Sequence, residues 1–300
     1  MHHIAAFYYF FPIDNLNQIK TDLQEIALKT ETLGLIILAP EGINATISNS
    51  EADQLQSFKN LVLNYFKIDV LKFKDSVSEI KPFRRLSIKI RGEIVTTGRN
   101  DLTLDKKLNH HLSPEQWDQM IENENPLIID TRNWYEYKIG TFNNAVNPNT
   151  DKFTDFPQFM DSKIADKNQK IMIFCTGGIR CEKGILELQE KGYNQVYQLD
   201  GGILNYLKEK PNQKFQGECF VFDHRVAVDQ NLNPSQQYKL CPHCGQPGKT
   251  QIICKKCETP EMICESCFKL DFRKDTCSKN CAHHYELNPL KKAKKQIRNY

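Results

Sequence analysis

Residues 4 to 11 alternate between apolar and other side chains, the period of a half-buried strand, and the period then changes. Leu16, Ile19, Leu23, Ile26 and Ala27 fall on one face of a helix that is expected to run up to a glycine stop. LIILAPEGINATISN predicts two strands joined through Pro40 to Gly42. EADQLQSFKNLVLNYF repeats the amphipathic helical pattern, and further strands are expected near IDVLKFKD and RRLSIKIRGEIVT. This β-α-β-β-α-β order predicts a ferredoxin-like α+β sandwich over residues 1–100, a fold that by itself assigns no activity.

After an expected linker at 101–112, SPEQW has the form of a helix start, with Ser113 as N-cap and Pro114 at the first helical position. PLIIDTR, AVNPN, KIMIFCT and QVYQLDGG are short β-rich runs separated by helical segments such as KGILELQEKG. That alternation predicts a parallel α/β domain over 113–215. Beyond residue 216 the periodicity ends in polar, cysteine-rich sequence, so something other than a large apolar core must hold 216–300 together. The fold class expected is thus a multidomain α/β chain.

With 300 residues, two or three domains are expected. No run is apolar for long enough to span a bilayer, and MHHIAAFYYFFPIDN lacks the Lys/Arg-led start and small-residue cleavage site of a signal peptide. A cytoplasmic protein is expected, whose 11 cysteines stay reduced and serve metal binding or catalysis rather than disulfides. The formal net charge of +3 hides an asymmetry. Residues 81–99 and 279–300 each carry six Lys/Arg against one Glu, leaving the remainder acidic. Lys81, Arg84, Arg85, Lys89 and Arg91 in the first stretch, and Lys291, Lys292, Lys294 and Lys295 in the second, are candidate contacts for a polyanion such as nucleic acid. A solvated strand edge and a solubilising tail explain the same charges equally well.

The segment IMIFCTGGIRCEKG carries the chemistry. Cys175 follows an apolar strand, and Thr176, Gly177, Gly178, Ile179 and Arg180 precede a helix expected from Cys181 onward. A thiolate is the reactive form of cysteine, and its surroundings must stabilise the anion. A strand-to-helix loop with two glycines turns backbone N–H groups inward, the helix adds the positive end of its dipole, and Arg180 adds formal charge. Cys175 is the candidate catalytic residue and the following five positions its anion-stabilising loop. Cys181 is expected to be a small buried helix residue, and Cys219 a packed one. Asp130 and Arg132 are expected to organise the sheet end as an ion pair.

Arginine stands five positions after Cys175, one fewer than in phosphatases with a C-x5-R loop, and this spacing resembles the six-residue loop of the rhodanese fold. LIIDTRNWYEYKIGTFNNAVNPN resembles the rhodanese stretch in which an Asp-x-Arg precedes a Glu and a Gly-Ala-Ile-Asn-like segment; Thr141 stands where many rhodaneses have histidine. GINATIS, RGEIVTTG, FCTGGIRCEKG, YQLDGGILNYL and GECFVFDHRVAV, in that order and spread over nearly the whole chain, resemble the rhodanese-domain tRNA uridine hydroxylases. The resemblance implies oxygen-dependent conversion of the wobble uridine, position 34 of tRNA, to 5-hydroxyuridine, with Cys175 essential, molecular oxygen as co-substrate and tRNA as partner. It gives both basic stretches a ligand, since anticodon-loop bases are unpaired and can be splayed into a pocket. Two routes are open, addition of the Cys175 thiolate to C6 of uracil and redox chemistry of a Cys175 persulfide. The sequence shows no flavin or nicotinamide motif and leaves the electron donor and oligomeric state open. A thiosulfate or persulfide sulfurtransferase and a non-catalytic RNA-binding scaffold are the alternatives.

Eight cysteines form four pairs: Cys241 and Cys244, Cys254 and Cys257, Cys264 and Cys267, Cys277 and Cys281. A C-x2-C knuckle puts two thiolates on one small ion, and two knuckles complete the tetrahedron that zinc prefers. The knuckles are candidate structural zinc ligands, paired either sequentially or in a cross-braced order. His243, His283 and His284 are expected to be lone surface histidines rather than substitute ligands.

Overall fold

The computed structural model describes residues 1–99, 110–150, 153–163 and 166–284, with 161–163 and 284 by backbone alone. Two compact units result, Met1–Asp223 with Val228–Pro234, and His224–Ala227 with the chain from Ser235 onward.

The first unit begins with the expected sandwich. Strands β1 (His2–Phe10), β2 (Leu33–Ala39), β3 (Gly42–Asn49), β4 (Lys74–Ser78) and β5 (Leu86–Ile90) form one sheet in the order β4-β1-β3-β2-β5, antiparallel except where β5 runs parallel to β2. Helices α1 (Leu16–Lys29) and α2 (Ala52–Phe66) cover one face. Ala5 and Phe7 of β1 meet Leu23, Ala27, Phe58 and Val62 there, as the two periods require. Alternation sends Ala6 and Tyr8 to the opposite face. Two details differ from expectation. Helix α1 ends at Lys29 through Thr30 and Glu31, the latter at φ 52°, and Gly34 lies inside β2. In IDVLKFKD the strand begins only at Lys74.

The second half of this unit is a four-stranded parallel sheet in the order β6-β10-β9-β7, built from β6 (His111–Leu112), β7 (Leu127–Asp130), β9 (Ile171–Phe174) and β10 (Val196–Leu199). Strand β6 occupies the end of the stretch expected to link the domains; residues 100–109 lie outside the described residues. Helix α3 (Pro114–Glu124) starts as the sequence requires, with Ser113 and Gln116 forming a reciprocal capping box and Pro114 at the first position. AVNPN makes no strand and contributes a single bridge, Val146 to Ile129. The short α4 (Trp134–Tyr137) and β8 (Gly140–Phe142) follow β7.

Strand β9 shows why the sheet needs helices on both faces. Met172 and Phe174 pack on one side with Trp117, Ile203 and Tyr206, where α3 and α7 (Gly202–Glu209) lie. Ile171, Ile173 and Cys175 pack on the other with Met160, Ile185 and Leu188, from α5 (Phe156–Lys163) and α6 (Ile179–Glu190). Fully burying one such side chain contributes about 1.5–3 kcal/mol, so a strand buried on both faces reads as a continuous apolar run. Among the described residues no helix is long and apolar enough to cross a membrane.

The second unit has short ladders, Lys239–Leu240 with Pro247–Gly248 and Thr250–Ile253 with Pro260–Ile263. Its apolar cluster is small and rich in sulfur: Ile252 and Ile263 pack with Cys241, Cys264 and Cys267.

Candidate active site and metal centres

Strand β9 ends at Phe174, and four residues turn the chain into α6. Cys175 is 1% exposed, and the Gly178 N–H donates to its Sγ at 3.1 Å. Gly178 has a φ of 96° and caps α6, its carbonyl accepting from the N–H groups of Cys181 and Glu182. Helix α6 therefore begins at Ile179, two residues before the expected start, and Arg180 is a first-turn residue rather than part of a free loop. The shortened turn puts the sulfur directly at the positive end of a 12-residue helix.

The charge balance favours a thiolate. Burial alone pushes the Cys175 thiol up; donation from the Cys181 thiol, the Arg180 charge and the backbone N–H groups of Arg180 and Gly178 outweigh it and bring the pKa down to about 6. Burial and the adjoining Cys175 anion push Cys181 well up, so it remains a thiol and a donor. Thr131 closes the back of the loop, its hydroxyl donating to Phe174 O at 2.8 Å and lying 3.8 Å from Cys181 Sγ.

Arg180 is more enclosed than its sequence position suggests. Its Nη2 donates to Glu136 Oε1 at 3.0 Å, and its guanidinium lies 5.7 Å from the centre of the Phe222 ring. Its buried Nη1 has no hydrogen-bond partner among the described residues, a donor left for an anion at the site. Glu136 is wholly buried at the third position of α4, where its other oxygen accepts from Asn133 N–H. Thr176 Oγ1 lies 3.5 Å from Glu136 Oε1 and 3.4 Å from Phe220 O. Phe220 stacks edge-on with Tyr135 and with Phe222, making an aromatic rim whose outermost ring, Phe222, is 53% exposed.

Asp130 and Arg132, both fully buried, pair through Nε to Oδ1 at 2.8 Å and Nη2 to Oδ2 at 2.6 Å. Arg132 also holds Gly140 O, and Thr141 donates to Asp130 at 3.0 Å, so the pair braces the sheet end. Gly202, from the Asp-Gly-Gly segment, explains that motif. A Cβ there would stand 2.6 Å from Cys175 O and 2.7 Å from Gly178 N, and Ile203 and Leu204 N–H donate to the carbonyls of Cys175 and Thr176. Cys219 is buried in the core, its thiol pushed up to about 12 by burial.

Several residues at the site are not singled out by sequence. Glu136 and Glu182 appear there only inside motifs, and Tyr8 only as one position of an alternating strand. Tyr8 OH donates to Glu182 Oε1 at 2.8 Å, which His111 Nε2 also contacts at 3.0 Å. The alternation of β1 is the one available signal for Tyr8, and it gives a face without saying what lies against it. Lys81, Arg84, Arg85, Lys89 and Arg91 are all exposed, and no contact among the described residues ties their side chains to the Cys175 loop. Lys291, Lys292, Lys294 and Lys295 lie outside the described residues.

In the second unit the knuckles interleave. Cys241, Cys244, Cys264 and Cys267 form one group and Cys254, Cys257, Cys277 and Cys281 another, with all four sulfurs of each group within 4.8 Å of one another. Sulfur–sulfur distances of 3.4 Å for Cys244–Cys264, 3.4 Å for Cys257–Cys277 and 3.7 Å for Cys277–Cys281 approach the roughly 3.8 Å edge of a tetrahedron with ~2.3 Å metal–sulfur bonds. They are far beyond the ~2.05 Å of a disulfide. His243 belongs to neither group, but it is buried rather than on the surface as expected, because its Nε2 meets Thr276 O at 2.7 Å. The His284 side chain lies outside those described.

Residues 2–94 match the model of the UPF0176 acylphosphatase-like domain, 113–209 the rhodanese-like domain and 216–282 the rhodanase C-terminal region. Across 99% of its length the chain is 52% identical to a protein from Bdellovibrio bacteriovorus named tRNA uridine(34) hydroxylase, covering 85% of that relative. Proteins of the same name from Wolbachia pipientis and Prochlorococcus marinus are 37% and 40% identical over 90% and 83% of this chain, which covers 96% and 82% of them.

Proposed function

The chain belongs to the tRNA uridine(34) hydroxylase family, and on that premise we propose that it hydroxylates C5 of the wobble uridine of tRNA in an oxygen-dependent reaction centred on Cys175. The observation that carries this reading is the anion cradle: Gly178 N–H, the Cys181 thiol and Arg180 converge on one buried sulfur. Such a sulfur is nucleophilic at neutral pH, and uracil offers it an electrophilic carbon at C6. Addition moves the C5=C6 electron pair toward C4=O and makes C5 electron-rich, the property that attack on oxygen requires; loss of the C5 proton then expels the Cys175 thiolate from C6 and restores the double bond. Net insertion of one atom of O2 also takes two electrons and two protons to carry the other atom to water, so an external two-electron reductant is part of the reaction.

The same proposal includes a ferredoxin-like module at 1–100, a rhodanese domain at 113–215 and a cysteine-rich region from 216, acting in the cytoplasm on tRNA. Two interleaved four-cysteine sites hold zinc there. The four-sulfur geometry fits a closed structural ion, whose work is folding. Lys81, Arg84, Arg85, Lys89 and Arg91 provide exposed positive charge for tRNA phosphates.

The test is nucleoside mass spectrometry of unmodified tRNA incubated with the pure protein and a thiol reductant, in air, without oxygen, and as Cys175→Ser. The expected result is a gain of one oxygen on uridine that needs air and vanishes in the variant. No gain under any condition, with sulfur transfer from thiosulfate to cyanide intact, would replace this reading with the sulfurtransferase one.

A further inference from the structure

The face of the N-terminal sheet opposite its helices meets the Cys175 loop at Tyr8. Tyr8 on β1 reaches this loop: its hydroxyl is 3.0 Å from where a Cβ on Gly178 would stand, and Gly178 is the residue whose N–H holds Cys175 Sγ. A side chain at 178 would therefore press on Tyr8 in addition to the strain of the positive φ. Lys74 on β4 pairs across from Ala6, so it shares the face of Tyr8, and its Nζ lies 4.7 Å from the centre of the Tyr8 ring. Just before the same strand, Lys72 pairs with Asp200 at 2.6 Å. Asp200 immediately precedes the Gly201–Gly202 turn that packs under the loop.

We propose that Lys74 is a positioning residue of the Cys175 site, a cation delivered by the N-terminal domain that helps to hold the sulfur anionic. The neighbouring charges explain why a second cation is needed. Arg180 is paired with Glu136, and Glu182, facing the loop from α6, is negative and shared between Tyr8 and His111. Asp200 is matched by Lys72. Of the cations around the loop, Lys74 is half-buried, and no carboxylate among the described residues holds it within salt-bridge distance. Burial draws its ammonium down to about 8, against the pull of Cys175, Asp200 and Glu182 in that order. It therefore stays charged at neutral pH, beside the Tyr8 ring whose hydroxyl reaches the cysteine loop, and Cys175 is the anion that raises its ammonium most. The N-terminal domain is then part of the active site, whatever else it does for tRNA.

The inference rests on the hydroxylase reading only for its activity readout, so the first test needs no tRNA. In the full chain, the pH dependence of iodoacetamide labelling at Cys175 is followed by peptide mass spectrometry, which separates it from the other ten cysteines. Lys74→Met is expected to move the labelling midpoint up by about one pH unit, an about tenfold slower reaction below it, while Lys74→Arg keeps the wild-type midpoint. With tRNA, Lys74→Met should lower single-turnover hydroxylation several-fold near pH ~6 with tRNA affinity unchanged within about twofold, and recover as pH rises. A folded Lys74→Met protein, judged by an unchanged melting temperature, that labels at the wild-type midpoint overturns the proposal. Should Lys74→Met not fold, Lys74→Gln with the same labelling decides it. Wild-type protein that labels as expected but leaves tRNA unmodified would sink the hydroxylase reading and leave Lys74 standing.

Discussion

Lys183 and Glu93, 90 residues apart in the chain, meet as an ion pair at 2.5 Å, with the lysine side chain 1% and the glutamate side chain 7% exposed. Glu93 belongs to the RGEIVTTG segment and also accepts from Thr97 and Gly98 N–H, while Lys183, on α6 just past the cysteine loop, reaches Glu41 at 2.8 Å. Burial would raise the Glu93 carboxyl, and the bonds from Lys183 and Thr97 lower it on balance. The segment therefore clamps the helix that carries the anion site. Removing one partner of a buried pair leaves the other charge uncompensated, at about 3–5 kcal/mol. Glu93→Gln should fall at the low end, about 3 kcal/mol, because Glu41 remains. Urea unfolding followed by the fluorescence of Trp117 and Trp134, both in the rhodanese-like domain, measures it. Since the folded pKa is depressed, the stabilisation is present above the unfolded carboxylate value of ~4.3 and is lost as pH falls through the folded one. The gap between wild type and Glu93→Gln should close in acid.

Cys175 and Arg180 give a second prediction, with opposite signs for two substitutions. The thiolate fraction rises with pH around a midpoint of about 6. Arg180→Met removes a cation and should move the Cys175 labelling midpoint up by roughly a unit or more; Glu136→Gln removes the anion that offsets it and should move the midpoint down. Equal shifts in one direction would show that both act through packing alone.

Much of this is legible in the sequence, and the parts that are not share a cause. Periodicity places β1, α1, β2, β3 and α2 because each makes its own contrast of faces, and the spacing from Cys175 to Arg180 distinguishes the loop from a phosphate cradle. The capping signals of Ser113, Pro114 and Gln116 are equally local. What sequence misplaces or misses depends on a second segment. AVNPN offers one β-branched residue beside two asparagines and a proline and finds only Ile129 to pair with, and α6 starts earlier than its pattern suggests because Gly178, packed against Gly202, can cap it. Glu136, Glu182 and Lys74 acquire meaning only from charges far along the chain, and the cysteine pairing requires knowing which knuckles the short ladders bring together.

Phe222 supplies a third prediction. Its ring is 53% exposed beside the loop, backed by Phe220 and topped by the Arg180 guanidinium. An unpaired base next to the target uridine would stack on it, a contact worth about 1–3 kcal/mol by alanine substitution. Phe222→Ala should weaken binding of an anticodon stem-loop about tenfold and leave saturated turnover within about twofold. Fluorescence anisotropy and single-turnover kinetics separate the two; unchanged affinity would remove Phe222 from the RNA path.

The interleaved cysteines allow a prediction that decides the pairing. Freshly purified, reduced protein should carry about two zinc ions per chain by elemental analysis. Two substitutions within one site cost one ion, and two in different sites cost both. In the cross-braced arrangement Cys244 and Cys264 share a site, 3.4 Å apart, whereas Cys244 and Cys254 belong to different ones. The double variant Cys244→Ser with Cys264→Ser should therefore retain about one zinc, and Cys244→Ser with Cys254→Ser should retain almost none. Sequential pairing predicts the reverse, so the two variants cannot agree with both arrangements. Because the apolar cluster of the second unit is itself largely cysteine, losing an ion also removes the charge balance of its thiolates. The variant retaining one zinc should accordingly show earlier protease cleavage after residue 235 than wild type, and the variant without zinc earlier still, while the tryptophan-reported unfolding of the rhodanese-like domain stays unchanged. A protein that binds no zinc yet resists cleavage there would mean that the ladders alone hold the region, against everything its small core allows.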